Sequence, residues 1–218
     1  GTGTNSTAKS EELSKKAEAW GADGVLVVVP YYNKPPQRGM VKHFTEIAKS
    51  VSIPVVLYNV PGRTISSLSL ESIYELSKVQ NIVGIKEASG NIEFAKEISN
   101  ATGPEFVLLS GDDGTFVDFL GAGDHGVVSV ASHIIPKQML SWKQLVTQGK
   151  IEEARKESKK YLPLIDLLFV EANPIPVKMA LYQMGIIASP ELRSPLMTLA
   201  EPLAEKLKRE MKSLGALQ

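Results

Sequence analysis

A lysine ends an otherwise apolar segment at residues 82–86, Ile-Val-Gly-Ile-Lys. Lysine is rarely buried, so its place at the end of an apolar strand indicates a lined pocket. Desolvation there lowers the pKa of the amine from its ordinary value of about 10.4, and a neutral amine forms a Schiff base with a carbonyl compound. In the alternative interpretation, Lys86 reaches the solvent and pairs with Glu87. Lys86 is therefore a candidate nucleophile.

A tyrosine and an arginine follow the preceding apolar segment, in the sequence YNVPGRT at residues 58–64. The Pro-Gly pair predicts a tight turn that brings Arg63 back over the strand end, beside Tyr58. A guanidinium binds a carboxylate with two parallel hydrogen bonds, and a phenol can transfer a proton. Alternatively, Tyr58 covers the core and Arg63 is a solvated surface charge.

Two further polar clusters follow apolar segments. Tyr31 and Tyr32 lie on a proline-bounded loop, which suits a pocket mouth or a subunit interface and equally well simple loop packing. Asp112 and Asp113 could bind Mg²⁺ or act as acid and base, but the beginning of a helix also prefers aspartate. The three histidines share no metal-ligand spacing, so we predict no metal site.

Composition excludes several classes of protein. The 218 residues contain no cysteine, and 24 Lys and Arg balance 24 Asp and Glu. These numbers exclude disulfide scaffolds and thiolate chemistry, and they argue against nucleic acid as a partner. No apolar run approaches the roughly 18 residues of a membrane span. We therefore expect a protein that acts on small molecules, with neither nucleic acid nor membrane as a partner. The composition does not fix the compartment, but a cytoplasmic enzyme fits it.

Alternating elements position the candidate residues. Short apolar runs predict five strands, at 24–29, 54–59, 82–86, 106–110 and 126–130. Amphipathic patterns predict helices between them, at 11–20, 41–50, 69–79 and 92–101, and then helices alone, at 136–148, 151–171, 174–184 and 190–214. This order is typical of an α/β protein with a parallel sheet, either open and doubly wound or part of a (β/α)₈ barrel. Because barrels carry their chemistry at the carboxyl ends of the strands, the polar residues found there favour the barrel.

The motifs, taken in order, resemble the dihydrodipicolinate synthase family of class I aldolase-like pyruvate lyases. The matching segments are GTGTNST (1–7), GADGVLVVVPYYNKP (21–35), YNVPGRT (58–64), VGIKEASG (83–90), LSGDD (109–113), GVVSV (126–130) and NPIPVK (173–178). The resemblance implies a (β/α)₈ TIM barrel, here its last five strands, with a C-terminal helical appendage. We place the partial barrel at residues 1–149 and the helical region at 150–218.

The resemblance also implies an activity in lysine (diaminopimelate) biosynthesis, the condensation of pyruvate with L-aspartate 4-semialdehyde. Lys86 would form the Schiff base with pyruvate, so no cofactor is expected. Tyr58 would relay protons, and Arg63 would hold the carboxylate of the semialdehyde. Sugar-acid pyruvate lyases of the same family are the alternative, but the sister N-acetylneuraminate lyases lack this arginine.

Three further positions have roles by resemblance alone. Tyr32 would be a relay tyrosine that reaches across a dimer interface, in a tetramer built from two dimers. Gly111 and Val128 would line the pyruvate pocket. Lys9 stands where lysine-sensitive members carry an acidic residue, which argues against feedback inhibition by lysine, although Asn5 is retained.

The family pattern begins with three more βα units than this sequence contains. They include a Thr-Thr pair that completes the proton relay. The resemblance therefore leads us to expect impaired activity, or a catalytically dead fragment that acts as an assembly partner.

Overall fold

The structure, a computed structural model, describes residues 1–217. Its strands are β1 (Val25–Val28), β2 (Val55–Asn59), β3 (Ile82–Glu87), β4 (Val107–Ser110) and β5 (Gly126–Val127). Its α-helices are α1 (Thr7–Ala19), α2 (Gln37–Lys49), α3 (Pro61–Thr64), α4 (Leu70–Leu76), α5 (Ile92–Thr102), α6 (Phe116–Gly121), α7 (Pro136–Thr147), α8 (Ile151–Lys159), α9 (Leu162–Leu168), α10 (Ile175–Gln183) and α11 (Glu201–Ser213), with a 3₁₀ helix at Ala131–His133. No helix in this described part is long and apolar enough to cross a membrane.

The five strands form one parallel sheet in the order β1-β2-β3-β4-β5. Each strand pairs with the next one along the chain, so every crossover connection adds the next strand on the same side of the sheet. A doubly wound sheet instead reverses its strand order at a switch point, where its ligand binds. The observed order is therefore that of consecutive strands of a (β/α)₈ barrel, and it removes the doubly wound alternative.

One face of the sheet packs against helices and forms the core. In β2, Val55, Leu57 and Asn59 are buried, whereas Val56 and Tyr58 between them are only half-buried. This alternation follows from the two-residue period of a strand. The buried face meets apolar residues of α2, α4, α5 and α6, which include Phe44, Ile47, Ile73, Leu76, Ile98 and Phe119. The opposite face is left for the polar side chains at the strand ends.

Capping residues and prolines set the helix ends. The side chain of Ser6 accepts a hydrogen bond from the backbone of Lys9 at the start of α1, and Asn91 caps α5 in the same way. The helix predicted at 151–171 is two helices, with Pro163 in the first turn of the second. The helix predicted from residue 190 begins only at Glu201, because prolines interrupt the preceding segment.

The chain divides into two compact units, residues 1–128 and 129–218. All five strands lie in the first unit, whereas the second is helical in its described part. The observed division comes before α7, whereas the boundary predicted from the sequence lies after residue 149. The assignment of 1–149 to the barrel and 150–218 to the appendage stays a prediction.

Candidate active site

The carboxyl ends of β2 and β3 bring Tyr58 and Lys86 together. The two residues are partners in the parallel register, and the Lys86 Nζ lies 4.1 Å from the centroid of the Tyr58 ring. Both side chains are half-buried and lie on the face that the helices leave open. In its protonated form the Lys86 ammonium is attracted to the face of the Tyr58 ring, so this contact orients the Nζ before the proton is lost.

The surroundings of Lys86 favour the neutral amine. Its pKa is lowered from the ordinary value, first by burial and then by the positive charge of Arg63, while the Asp113 carboxylate acts in the opposite direction. Burial also raises the pKa of Tyr58, and Arg63 partly offsets this effect. The pair therefore combines an amine that loses its proton more readily with a phenol that keeps it, which suits nucleophilic attack and proton donation respectively.

Arg63 lies on a single helical turn directly after β2. The turn is closed by hydrogen bonds from the Arg63 N–H to the Val60 carbonyl (2.9 Å) and from the Ile65 N–H to the Pro61 carbonyl (2.8 Å). The predicted turn is thus one turn of α-helix, α3. The Arg63 side chain is exposed but close enough to change the pKa values of Lys86 and Tyr58.

The alternative ion pair between Lys86 and Glu87 is not formed. Glu87 is fully buried, and its carboxylate accepts hydrogen bonds from the Asn59 side chain (2.7 Å) and the Ser89 N–H (2.6 Å). Neighbouring residues of a strand point to opposite faces of the sheet. Glu87 therefore lies on the face that packs against the helices, and Lys86 lies on the other face. This leaves the Lys86 amine available for chemistry.

Gly111 lies against Lys86 directly after β4. A Cβ at this position would be 2.8 Å from the Lys86 Cε and 2.5 Å from the Ala88 Cβ, too close for any side chain. Its N–H donates to the Glu87 carbonyl at 2.8 Å. Val128 follows β5, is 44% exposed, and donates its N–H to the Ser110 carbonyl at 2.9 Å. Both residues thus lie at the strand ends, with Gly111 in the immediate surroundings of the lysine.

Tyr32 is not assembled with these residues. It lies on the loop after β1 with 85% of its surface exposed and a φ of 73°, in the left-handed region. Tyr31 beside it is 40% exposed. The structure therefore brings together Lys86, Tyr58, Arg63 and Gly111 but leaves Tyr32 facing outward.

The two aspartates after β4 have different roles. The Asp112 Oδ2 accepts hydrogen bonds from the N–H (3.0 Å) and hydroxyl (2.6 Å) of Thr115, which agrees with the helix-start interpretation. Asp113 is 4% exposed, and its charge acts on Lys86, an effect that was not predicted from the sequence. Among residues 1–217, no group of three or more His, Asp or Glu side chains could hold a metal ion.

The chain is similar to known proteins along nearly its whole length. The model of the dihydrodipicolinate synthetase family matches residues 1–214. The 4-hydroxy-tetrahydrodipicolinate synthase of Bdellovibrio bacteriovorus is 60% identical over 217 residues, which cover 100% of this chain and 74% of that protein. The chain thus spans about three quarters of the length of such relatives.

Solved structures share the fold. Dihydrodipicolinate synthase from Thermotoga maritima superimposes with a TM-score of 0.95 at 42% identity, covering 99% of this chain and 74% of that one. The chloride-inhibited dihydrodipicolinate synthase of Acinetobacter baumannii, solved in complex with pyruvate, gives a TM-score of 0.94 at 41% identity, covering 100% and 74% respectively. These matches confirm the prediction of TIM-barrel strands.

Proposed function

Because the chain belongs to the dihydrodipicolinate synthetase family, we propose that it condenses pyruvate with L-aspartate 4-semialdehyde, in lysine (diaminopimelate) biosynthesis. The observation that supports the proposal best is the half-buried Lys86 amine, whose pKa is lowered and which lies 4.1 Å from the Tyr58 ring. Such an amine is a suitable nucleophile for a ketone. The covalent Schiff base takes the place of a cofactor in this scheme.

The first half of the reaction takes place on Lys86. Its neutral Nζ attacks the C2 carbonyl of pyruvate, and loss of water leaves a C2=N bond. A proton then passes from C3 to solvent water, and this loss converts the iminium into an enamine. Gly111 leaves room for the Lys86 side chain at this point, because a Cβ at position 111 would lie only 2.8 Å from the lysine Cε.

The second half joins the two substrates. The enamine C3 attacks the aldehyde carbon of the semialdehyde, a new C–C bond forms, and the aldehyde oxygen becomes an alkoxide. Tyr58 keeps its proton because burial raises its pKa, so it can donate that proton to the alkoxide, and solvent water then reprotonates the phenolate. The amino group of the semialdehyde attacks C2, and the bond from C2 to the Lys86 Nζ breaks, which closes the ring of the product and frees the lysine. The exposed guanidinium of Arg63 binds the carboxylate of the semialdehyde, and this contact favours the present reaction over that of sugar-acid lyases.

We further propose that the protein acts in the cytoplasm as a tetramer made of two dimers, in which Tyr32 completes the proton relay of a neighbouring subunit. The exposure of Tyr32 supports this assignment, because an outward-facing aromatic side chain is available to an interface. Val128, exposed after β5, would line the pyruvate pocket together with Gly111.

Reductive trapping tests the proposed function. The chain is incubated with pyruvate, reduced with borohydride and digested, and mass spectrometry locates the adduct. We expect the adduct on Lys86 and none in Lys86→Ala. Lys78→Ala is the matched control, because the Lys78 Nζ also lies over a tyrosine ring, at 4.3 Å from the Tyr74 centroid, but on the surface. An adduct retained in Lys86→Ala, or lost in Lys78→Ala, would contradict the assignment.

A further inference from the structure

A buried polar pair lies directly behind the two reactive residues. Asn59 and Glu87 are 1% and 0% exposed, and they are partners in the register one position after Tyr58 and Lys86. The Asn59 Nδ2 donates to the Glu87 Oε2 at 2.7 Å. Burying a charged group costs free energy unless every oxygen is hydrogen-bonded. A buried Asn–Glu pair directly behind the site therefore needs an explanation.

The pair connects β3 to the turn that carries Arg63. The Asn59 Oδ1 accepts a hydrogen bond from the Leu68 N–H at 3.1 Å, which closes the loop that leaves β2 at Asn59 itself. On the other strand, the Glu87 Oε1 accepts from the Ser89 N–H at 2.6 Å. The two side chains thus join the end of the Lys86 strand to both ends of the Arg63 loop.

We propose that Asn59 and Glu87 are positioning residues that fix the Arg63 guanidinium relative to the Lys86 amine. The proposal rests on the proposed function, since it concerns how the second substrate meets the enamine. Neither residue touches substrate, because both lie on the helix face of the sheet. Their effect should therefore fall on the step that needs Arg63 more than on formation of the pyruvate adduct.

Three hydrogen bonds hold the Asn59 and Glu87 side chains, and substitutions can break them selectively. Leu68 and Ser89 each donate one N–H, and the two side chains donate and accept one bond between them. In Glu87→Gln, positions 59 and 87 both carry an amide. Each amide oxygen accepts a backbone hydrogen bond, from Leu68 or Ser89, so the two NH₂ groups face each other without an acceptor. Asn59→Asp leaves two carboxylates facing each other. Each single change therefore places like partners in contact.

The exchanged pair restores every bond. In the double variant Asn59→Asp/Glu87→Gln, the new amide at position 87 donates to one oxygen of the new carboxylate at position 59, while the Leu68 N–H donates to the other. The amide oxygen at position 87 still accepts from the Ser89 N–H, as the Glu87 Oε1 does in the unchanged chain. Donor and acceptor have changed places, but volume, total charge and number of hydrogen bonds are conserved.

The experiment compares the unchanged chain, both single variants and the double variant. We expect the singles to form the pyruvate adduct but to lose roughly tenfold to hundredfold in kcat/KM for the semialdehyde, with a raised KM. The double variant should recover at least about tenfold of that loss. Asn81→Asp is the matched control: its amide donates to the Ala48 and Val51 carbonyls at the opposite end of β3, so it should leave kcat/KM unchanged even if thermal stability falls.

The outcomes separate the two proposals. Failure of the unchanged chain to form an adduct on Lys86 would overturn the proposed function, and with it this inference. If adducts form, then folded single variants with normal kcat/KM, or a double variant no better than the worse single, would overturn the positioning role alone. Thermal unfolding of each variant shows whether the protein assayed is folded.

Discussion

The protonation of Lys86 depends on three identifiable influences. Burial and the Arg63 charge lower the pKa of the amine, whereas the Asp113 carboxylate raises it. The carboxylate is itself buried at 4% exposure, so it acts through a medium that screens charge weakly. The reactivity of the lysine is therefore adjustable by either neighbour, in opposite directions.

Arg63→Ala and Asp113→Asn should move the pH dependence of adduct formation in opposite directions. Removing the positive charge raises the pKa of Lys86, so Arg63→Ala needs a higher pH to reach half its maximal trapping rate. Removing the carboxylate lowers that pKa, so Asp113→Asn reaches half its maximal rate at a lower pH. The measurement is the initial rate of borohydride-trapped pyruvate adduct across a pH series. Shifts in the same direction would show that neither charge acts directly on the amine.

Arg63→Ala should also impair the second substrate much more than the first. Only the semialdehyde needs the guanidinium, and a lost charge-assisted hydrogen bond costs about 1.5 to 3 kcal/mol. We expect roughly a tenfold to hundredfold fall in kcat/KM for the semialdehyde, with adduct formation at its optimal pH little changed. Arg38→Ala, which removes an exposed arginine on α2, is the control. Equal losses for both substrates would assign Arg63 a structural role.

At the scale of elements, the site depends on close contact between β3 and β4. Gly84 pairs with Val107, and a Cβ on Gly84 would lie 2.2 Å from the Val107 carbonyl oxygen. We expect Gly84→Ala to destabilise the protein by about 1 to 3 kcal/mol, because backbone cannot move aside as a side chain can. Gly62→Ala is the control, since no heavy atom lies within 4 Å of its added Cβ. Urea unfolding gives both values, and equal stabilities would contradict the prediction.

Strands were easier to predict from the sequence than the short helices. The predicted strands agree with β1 to β4 to within one residue at either end, because buried parallel strands are apolar runs bounded by turn residues. The turns α3 and α6 have four and six residues, too few to show a helical period. The predicted helix at 190–214 was too long. Its prolines hardly disturb the periodic pattern of apolar residues, but they prevent the backbone before Glu201 from forming a helix.

The site was predictable in part. Tyr58 and Lys86 follow from the rule that parallel strands end at one edge of the sheet. The two-residue alternation of a strand also predicts that Glu87 and Lys86 point to opposite faces of the sheet, so the sequence itself argues against their ion pair. The hydrogen bond between Asn59 and Glu87 depends on the register of β2 against β3. The effect of Asp113 on Lys86 depends on the path of the loop after β4. Neither is encoded in a local pattern.

At the scale of the whole molecule, the buried His43 and the half-buried Asp124 are titratable groups that lie far from the reactive pair along the chain. His43 is 4% exposed, and its Nδ1 is 3.0 Å from the Thr7 hydroxyl. Within the described residues its Nε2 has no hydrogen-bond partner. Burial lowers the pKa of His43 from 6.5 to about 4, although Glu46 opposes this. Burial raises the pKa of Asp124 from 3.8 to about 6, against hydrogen bonds from the backbone of Gly126 and Ser110.

These two groups make opposite contributions to stability between about pH 4 and 6. The unfolded chain holds more protons at His43, so this contribution is complete above pH 6.5 and is lost as the pH falls toward 4. The folded chain holds more protons at Asp124, so its contribution is complete below pH 3.8 and is lost as the pH rises through 6. Each of these changes in pKa corresponds to roughly 3 kcal/mol. The two contributions therefore largely cancel in the unchanged chain.

Removing either group should reveal the effect of the other group on the pH dependence of the unfolding free energy. Relative to the unchanged chain, Asp124→Asn should gain up to about 2 to 3 kcal/mol in unfolding free energy as the pH rises from 4 to 6, because the His43 contribution is then unopposed. His43→Gln should lose a similar amount over the same interval. Urea unfolding of the three proteins at pH 4, 5, 6 and 7 gives these differences, and the double variant should again follow the unchanged chain. Parallel plots of unfolding free energy against pH for all three proteins would contradict the prediction, because they would mean that folding does not change the pKa of either group.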